Sequence, residues 1–276
     1  MTMTNTGSAH HRRLLDILDL HESPRGPDRY TAPTPSEGPP RLFGGQVASQ
    51  AVRALTLTVA PDRPIHSLHA YFIRPGRPGV PLELAVERTR DGRSFSTRRV
   101  EAIQEGEAIL VADASFHVAE PGDDWQEGGL PEGVSDDPDD VVRPERRTDF
   151  SAFRDTMPFE VRPVRPTEGF DLHPCWVRLR DPIPDDPGLH ASALTYVSDL
   201  AVVGSARAPH STANWMGSAS LDHAIWFHRP ARLDDWLLFD VDPVSNYGAR
   251  GLARGTFHTR QGVLVASISQ EALLRR

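Results

Sequence analysis

The 276-residue chain contains no lysine, so all 30 of its basic side chains are arginine. Any anion it binds must therefore meet a guanidinium group or a backbone N–H. A single cysteine, Cys175, excludes an internal disulfide and suits a reducing, cytoplasmic setting. Beside Trp176 it reads as a small half-buried side chain rather than a nucleophile. No apolar run approaches the roughly 20 residues that a membrane-spanning helix needs. The N-terminus "MTMTNTGSAHHRR" has no apolar segment behind its charges, so no signal peptide is expected, and "EALLRR" at the other end matches neither a lipidation nor a peroxisomal signal. A net charge of −8 argues against a nucleic-acid partner, which requires a basic face. Also missing are the G-x-S-x-G elbow of α/β-hydrolases and the H-E-x-x-H and Cys/His metal spacings. The acidic "DDPDD" run lacks the spacing of a calcium loop, so no metal is expected.

What the chain does have is an internal repeat. "SLHAYFIRPGRPG" from Ser67 returns as "SLDHAIWFHRPARLD" from Ser220, with Tyr71-Phe72 on Trp226-Phe227 and Arg74-Pro75 on Arg229-Pro230. Further on, "LELAVERTRDGRSFSTRRVEA" matches "LLFDVDPVSNYGARGLARGTFH" in pattern, each a strand, a turn and a strand, with "RDGR" and "SNYG" as hairpin signals. "AILVADASF" then matches "GVLVASISQ". Each copy offers three or four antiparallel strands, with a helix ahead of them that is short of charge. The first helix starts at Gly44-Gly45; the second carries Ser192 as an expected N-cap and runs through Leu194, Val197 and Leu200. Helices apolar most of the way round are buried, so each half reads as a sheet wrapped around a helix. The expected class is α+β, with an N-terminal repeat over 1–118 (1–13 disordered, His10-His11 included), an acidic linker over 119–150 and a C-terminal repeat over 151–276.

The two copies differ in their polar groups. Asp199 in "YVSDL" falls where the first copy has Gln50; Ser220 falls where it has Ile65; Gln270 falls where it has Phe116. One copy reads carboxylate, hydroxyl and amide, a set able to hold a reactive water, and the other does not.

"LFGGQVASQAV", "HSLHAYFIRPG", "RDGRSFSTRRV", "YVSDL", "SLDHAIWFHRP" and "GVLVASISQE" together resemble the acyl-CoA thioesterase II (TesB-like) family, from about Leu14 to Arg276 and least in the acidic linker. The resemblance implies a double hotdog: two fused repeats, each a long antiparallel sheet around a central helix. It also implies hydrolysis of fatty acyl-CoA to free acid and CoA, without a cofactor, by a homo-oligomer of such chains. In that family an Asp on the second helix acts with a Thr or Ser and a Gln, and the matching positions are Asp199, Ser220 and Gln270. Asp199 would be a general base, its pKa raised by burial. Gly44 and Gly45 are the candidate oxyanion donors, at a helix N-terminus where backbone N–H groups converge. The anionic coenzyme directs attention to the arginines of the "RDGRSF" hairpin, with Arg90, Arg93, Ser94 and Phe95 as substrate-binding candidates beside Arg88, Arg98 and Arg99. Phe72 and Trp226 are candidates for the acyl groove. Two other readings stand beside hydrolysis. One is an enoyl-thioester hydratase or dehydratase using His223 near Asp222, although adjacent strand residues face opposite sides. The other is a non-catalytic acyl-CoA-binding module. His223 and His228 otherwise read as structural histidines.

Overall fold

Six strands and a buried helical segment occur in each half in the same order, and the second half has one further strand. The computed structural model describes residues 11–36, 39–141, 156–165, 172–210 and 217–276. The first half contains α1 (Leu14–Ile17), β1 (His21–Glu22), β2 (Arg29–Ala32), α2 (Gly44–Thr56), β3 (Ile65–Phe72), β4 (Leu82–Asp91), β5 (Phe95–Gln104) and β6 (Glu107–His117). The second contains β7 (Phe159–Pro163), β8 (Cys175–Leu179), α3 (Pro187–Ser198), α4 (Val202–Arg207), β9 (Gly217–Ser220), β10 (Asp222–Phe227), β11 (Leu237–Tyr247), β12 (Arg250–Thr259) and β13 (Leu264–Arg275). They form one sheet in the order β1-β2-β4-β5-β6-β3-β10-β13-β12-β11-β8-β7, with β9 as a further partner of β13. Read outward from the β3–β10 junction, the two halves are mirror copies in order. The fold is the expected double hotdog.

The junction carries the two-fold relation in its register. β3 and β10 pair antiparallel, with Ser67 opposite Trp226 and Tyr71 opposite Asp222. If Tyr71 corresponds to Trp226 and Ser67 to Asp222, exchanging the halves leaves those pairs unchanged. Alternation along each strand sends one set of side chains inward: Leu68 on β3, and His223 and Ile225 on β10, are fully buried. Inside the curved sheet α2 packs against α3. Their approach is close enough that a Cβ added to Gly45 would lie 2.2 Å from the Tyr196 carbonyl oxygen, so only glycine fits there.

Several expectations change at this level. The second helix begins a turn and more before Ser192, because Asp186 caps it by accepting from Gly188 N–H at 2.8 Å and Pro187 occupies the first turn. Ser192 lies inside the helix, its hydroxyl donating to the Gly188 carbonyl at 2.8 Å. Two strands per half precede the helix; β8 is among them, and on it Cys175 is fully buried rather than half-buried. Residues 11–13 are not a free tail: Arg12 N–H donates to the Thr156 carbonyl, its guanidinium to Gln46 Oε1, and His11 Nε2 meets Asp181 at 2.9 Å. Residues 1–10 and 142–150 lie outside the described residues. The described part of the acidic linker, 119–141, has no helix or strand, but arginines strap it to the second half: Asp124 pairs with Arg229, Asp139 with Arg162, and the Asp136 carbonyl with Arg260. No helix among the described residues is long and apolar enough to cross a membrane.

Candidate active site

Asp199 stands where the second helix breaks. It is the C-cap of α3, and Ala201, at φ 57°, turns the chain into α4. A left-handed alanine costs on the order of 1 kcal/mol, and in return the Asp199 side chain leaves the helix surface and points at the N-terminus of α2. The corresponding Gln50 continues α2 without a break. The correspondence of these helices shows in detail: Ser49 donates to the carbonyl three residues back at 2.8 Å, and Ser198 lies 2.9 Å from the carbonyl three residues back.

Four groups converge on the Asp199 carboxylate, which is 7% exposed. Gln270 Nε2 donates to Oδ1 at 2.9 Å and Gly45 N–H donates to Oδ2 at 2.8 Å. Ser220 Oγ lies 3.4 Å from Oδ1 and accepts from Gln270 Nε2 at 2.8 Å. The fourth is Gly44: a Cβ there would lie 2.7 Å from Oδ2 and 2.9 Å from the Phe72 ring. Burial raises the Asp199 pKa to about 6, against the pull of its three donors, Gln270, Gly45 and Ser220. The helix C-terminus, with its partial negative charge, favours the same direction. The carboxylate is therefore charged at neutral pH and still basic enough to take a proton.

Behind Gln270 lies a residue that had read as structural. His223 is fully buried on β10. Its Nδ1 meets Gln270 Oε1, and its Nε2 meets Ser198 Oγ at 2.8 Å. Burial lowers its pKa to about 4 despite the Gln270 contact, so the imidazole is neutral. Asp222, its neighbour in sequence, turns the other way and accepts from Glu271 N–H at 2.7 Å. The His–acid pair that an enoyl-thioester hydratase would use is not assembled here. The sequence signal for His223 was the repeat itself, since the matching residue of the first copy is Leu68, a polar-for-apolar exchange at an inward position.

The register also corrects one equivalence. Ile73 and Arg74 N–H both donate to the Ile109 carbonyl, as His228 and Arg229 N–H both donate to that of Val265. Ile109 thus corresponds to Val265, so Gln270 corresponds to Ala114, and Phe116 to Ala272. The pairs Ile65↔Phe116 and Ser220↔Ala272 agree. The repeated Leu-Val-Ala triplets, at Leu110 and Leu264, mislead because the loop before β13 is longer by one residue than the Glu105-Gly106 turn before β6, and loop length sets register.

Not every candidate joins the site. Phe72 does, through Gly44. Trp226 lies on the outer face of β10, opposite to His223 and Ile225, 39% exposed and edge-on to His69. Arg90, Arg93, Ser94 and Phe95 sit at the β4–β5 tip, where Phe95 stacks on His117 beside the Ile65 end of β3. Phe72 is at the other end of this eight-residue strand, roughly 20 Å away. Two other arginines of that hairpin are structural: Arg88 forms a bidentate pair with Asp28, and Arg98, 1% exposed, holds Thr58 and Asp91. Gly45 N–H is committed to the carboxylate, which leaves Gly44 N–H as the oxyanion candidate. Among the described residues no group of three or more His, Cys, Asp or Glu is placed to hold a metal ion.

A double hotdog with one buried, amide- and hydroxyl-held carboxylate is the architecture of a hotdog thioester hydrolase. Residues 149–273 match the family model described as acyl-CoA thioesterase, and residues 31–117 match that of the acyl-CoA thioesterase N-terminal domain. The chain is 36% identical to acyl-CoA thioesterase 2 of Haemophilus influenzae, over 85% of this chain and 88% of that one. It is also 36% identical to acyl-coenzyme A thioesterase 8 of Mus musculus, over 95% and 88%. Among solved structures, an acyl-CoA thioesterase II from Mycobacterium marinum superposes with a TM-score of 0.80 at 40% identity, covering 95% of this chain and 98% of that one. The chain belongs to the acyl-CoA thioesterase family.

Proposed function

We propose that this protein hydrolyses fatty acyl-CoA at the Asp199 site, with Asp199 as general base. One observation carries the reading: a carboxylate nine-tenths buried, held by three donors yet with a pKa of about 6, occurs in one copy of the repeat and is replaced by Gln50 in the other. A module that only bound acyl-CoA would gain nothing from burying that charge.

In the proposed reaction Asp199 takes a proton from a water held by the Ser220 hydroxyl, which Gln270 keeps in place. The water oxygen bonds to the thioester carbonyl carbon, the C–S bond breaks, and the CoA thiolate leaves and takes up the proton that Asp199 gives back. Its parent thiol has a pKa of about 8.5 by analogy with cysteine, so departure needs little proton donation. Charge on the carbonyl oxygen falls to the Gly44 N–H at the start of α2. Phe72, packed over Gly44, bounds the path by which the acyl group arrives. These steps call on the chain's own groups and the substrate, and on no further cofactor. The single buried cysteine, Cys175, supports a cytoplasmic setting, and assembly of several double-hotdog chains follows the family expectation.

The test is release of free thiol from short, medium, long and branched acyl-CoAs, by wild type and by Asp199→Asn at equal folded concentration. Turnover that falls at least about a hundredfold in the variant is expected. Wild-type activity in Asp199→Asn, or no thiol release from any substrate, overturns the reading.

A further inference from the structure

We infer that His223 is a positioning residue for this reaction, fixing which end of the Gln270 amide faces Asp199 and Ser220; the inference rests on the site proposed above. An amide can turn over in place, exchanging its oxygen and nitrogen. Only one orientation puts two N–H bonds toward the carboxylate and the Ser220 hydroxyl, as found here at 2.9 and 2.8 Å. Charged Asp199 enforces that orientation by itself. Once Asp199 has taken the proton of the water, it becomes an O–H donor, and a turned amide offering it a carbonyl oxygen would fit as well. The catalytic cycle therefore passes through a state in which Asp199 no longer selects the orientation.

His223 supplies the missing selection. Its Nδ1 faces Gln270 Oε1 and its Nε2 faces the Ser198 hydroxyl. A neutral imidazole has one donor and one acceptor, and one assignment keeps the Gln270 N–H groups toward Asp199 and Ser220: Nδ1–H donates to Gln270 Oε1, and Ser198 O–H donates to Nε2 rather than to the Thr195 carbonyl 2.9 Å away. Full burial keeps the ring neutral in every stage of the reaction. The first copy supplies the control. Ser49 corresponds to Ser198 and is buried as Ser198 is, but Leu68 replaces His223 and Ala114 replaces Gln270. Where no amide needs orienting, no histidine is present, and leucine packs at that place.

The experiment compares the full-length His223→Leu and His223→Asn variants with wild type and Asp199→Asn, measuring kcat, KM and the pH dependence of kcat. Leucine borrows the side chain of the symmetry-related position, and asparagine keeps an N–H donor near the place of Nδ1. His223→Leu is expected to lower kcat about thirtyfold with KM within about twofold. Its acid limb, expected near pH 6 in wild type, is expected to move upward because a turned amide can then accept from protonated Asp199 and stabilise that form. His223→Asn is expected to stay within about fivefold of wild type with the limb in place. Loss of packing alone would lower the folded fraction without moving the limb. Wild-type kcat and limb in His223→Leu, or equal loss in both variants, overturns the inference. Should neither variant fold, Ser198→Ala carries the same test: a kcat about fivefold lower at unchanged KM is expected, and an unchanged kcat overturns it. Asp199→Asn separates the two readings, since its full activity sinks the site itself, whereas its inactivity beside a fully active His223→Leu sinks the positioning role alone.

Discussion

The same inward pocket occurs twice in this molecule and is finished in two ways. In the second half, Asp199, Ser220, Gln270 and His223 build a polar network at a helix break. In the first half, the matching Gln50, Ile65, Ala114 and Leu68 close the space, and Gln50 Nε2 donates to the carbonyls of Ile17 and Pro33 at 2.9 and 2.8 Å. One polar side chain fastens the N-terminal segment; its counterpart carries a charge. The difference teaches that the scaffold tolerates a polar group at this depth in either copy, but a carboxylate only where three donors converge, because an unpaired buried charge is costly.

The largest effect is expected from erasing the difference in the wrong direction. Gln50→Asp sets a carboxyl group against two carbonyl oxygens and removes both hydrogen bonds, which should cost about 3 kcal/mol or more of stability at neutral pH. Urea unfolding measures it; a loss below about 1 kcal/mol would show that the first pocket accommodates charge after all.

A slightly smaller effect concerns pH. The folded-state pKa of Asp199 is about 6 against an ordinary 3.8. A raised carboxyl pKa means that the stability it contributes is present at low pH and is lost as pH rises through about 6. At about 1.4 kcal/mol per unit, and with the unfolded carboxyl already half ionised at pH 4, Asp199→Asn should gain roughly 2.4 kcal/mol relative to wild type between pH 4 and pH 7. Unfolding curves for both proteins at the two pH values decide it, and parallel behaviour would mean that the carboxylate is not buried in solution as it is here.

The smallest of the three probes the cradle rather than the charge. Gly44→Ala places a methyl group against Asp199 Oδ2 and the Phe72 ring, so the carboxylate or the ring must shift. A kcat loss of about tenfold with stability reduced by about 1–2 kcal/mol is expected. Unchanged turnover in that variant would separate Gly44 from the chemistry.

How much of this was legible beforehand differs by kind of residue. The doubled motif around Tyr71 and Trp226 was visible as a string, and so were the start of α2 at Gly44-Gly45 and the oddity of Asp199 in an apolar segment. The strand β8 was not: "CWVRL" is buried on nearly every residue, so the alternation that betrays a half-exposed strand is missing. Trp226 misled for the opposite reason, since an aromatic on a strand reads as core until the pleat assigns its face. For the arginines of "RDGRSF", sequence shows a cluster of charge but not that Arg88 and Arg98 are already paired, or that the tip lies at the far end of β3.

By itself, the order of residues determined that this chain folds as two copies of a sheet wrapped around a helix and that one copy alone carries a carboxylate, a hydroxyl and an amide. Those are properties of local pattern: apolar periodicity, turn chemistry and the comparison of one copy with the other. Tertiary structure alone decided that Gln270 answers to Ala114, that Gly45 N–H is taken by Asp199, and that His223 stands behind the amide. Register depends on a one-residue difference in loop length, and the use of a hydrogen-bonding group depends on which partner the folded chain brings within about 3 Å. Neither quantity exists until the two halves have closed on each other.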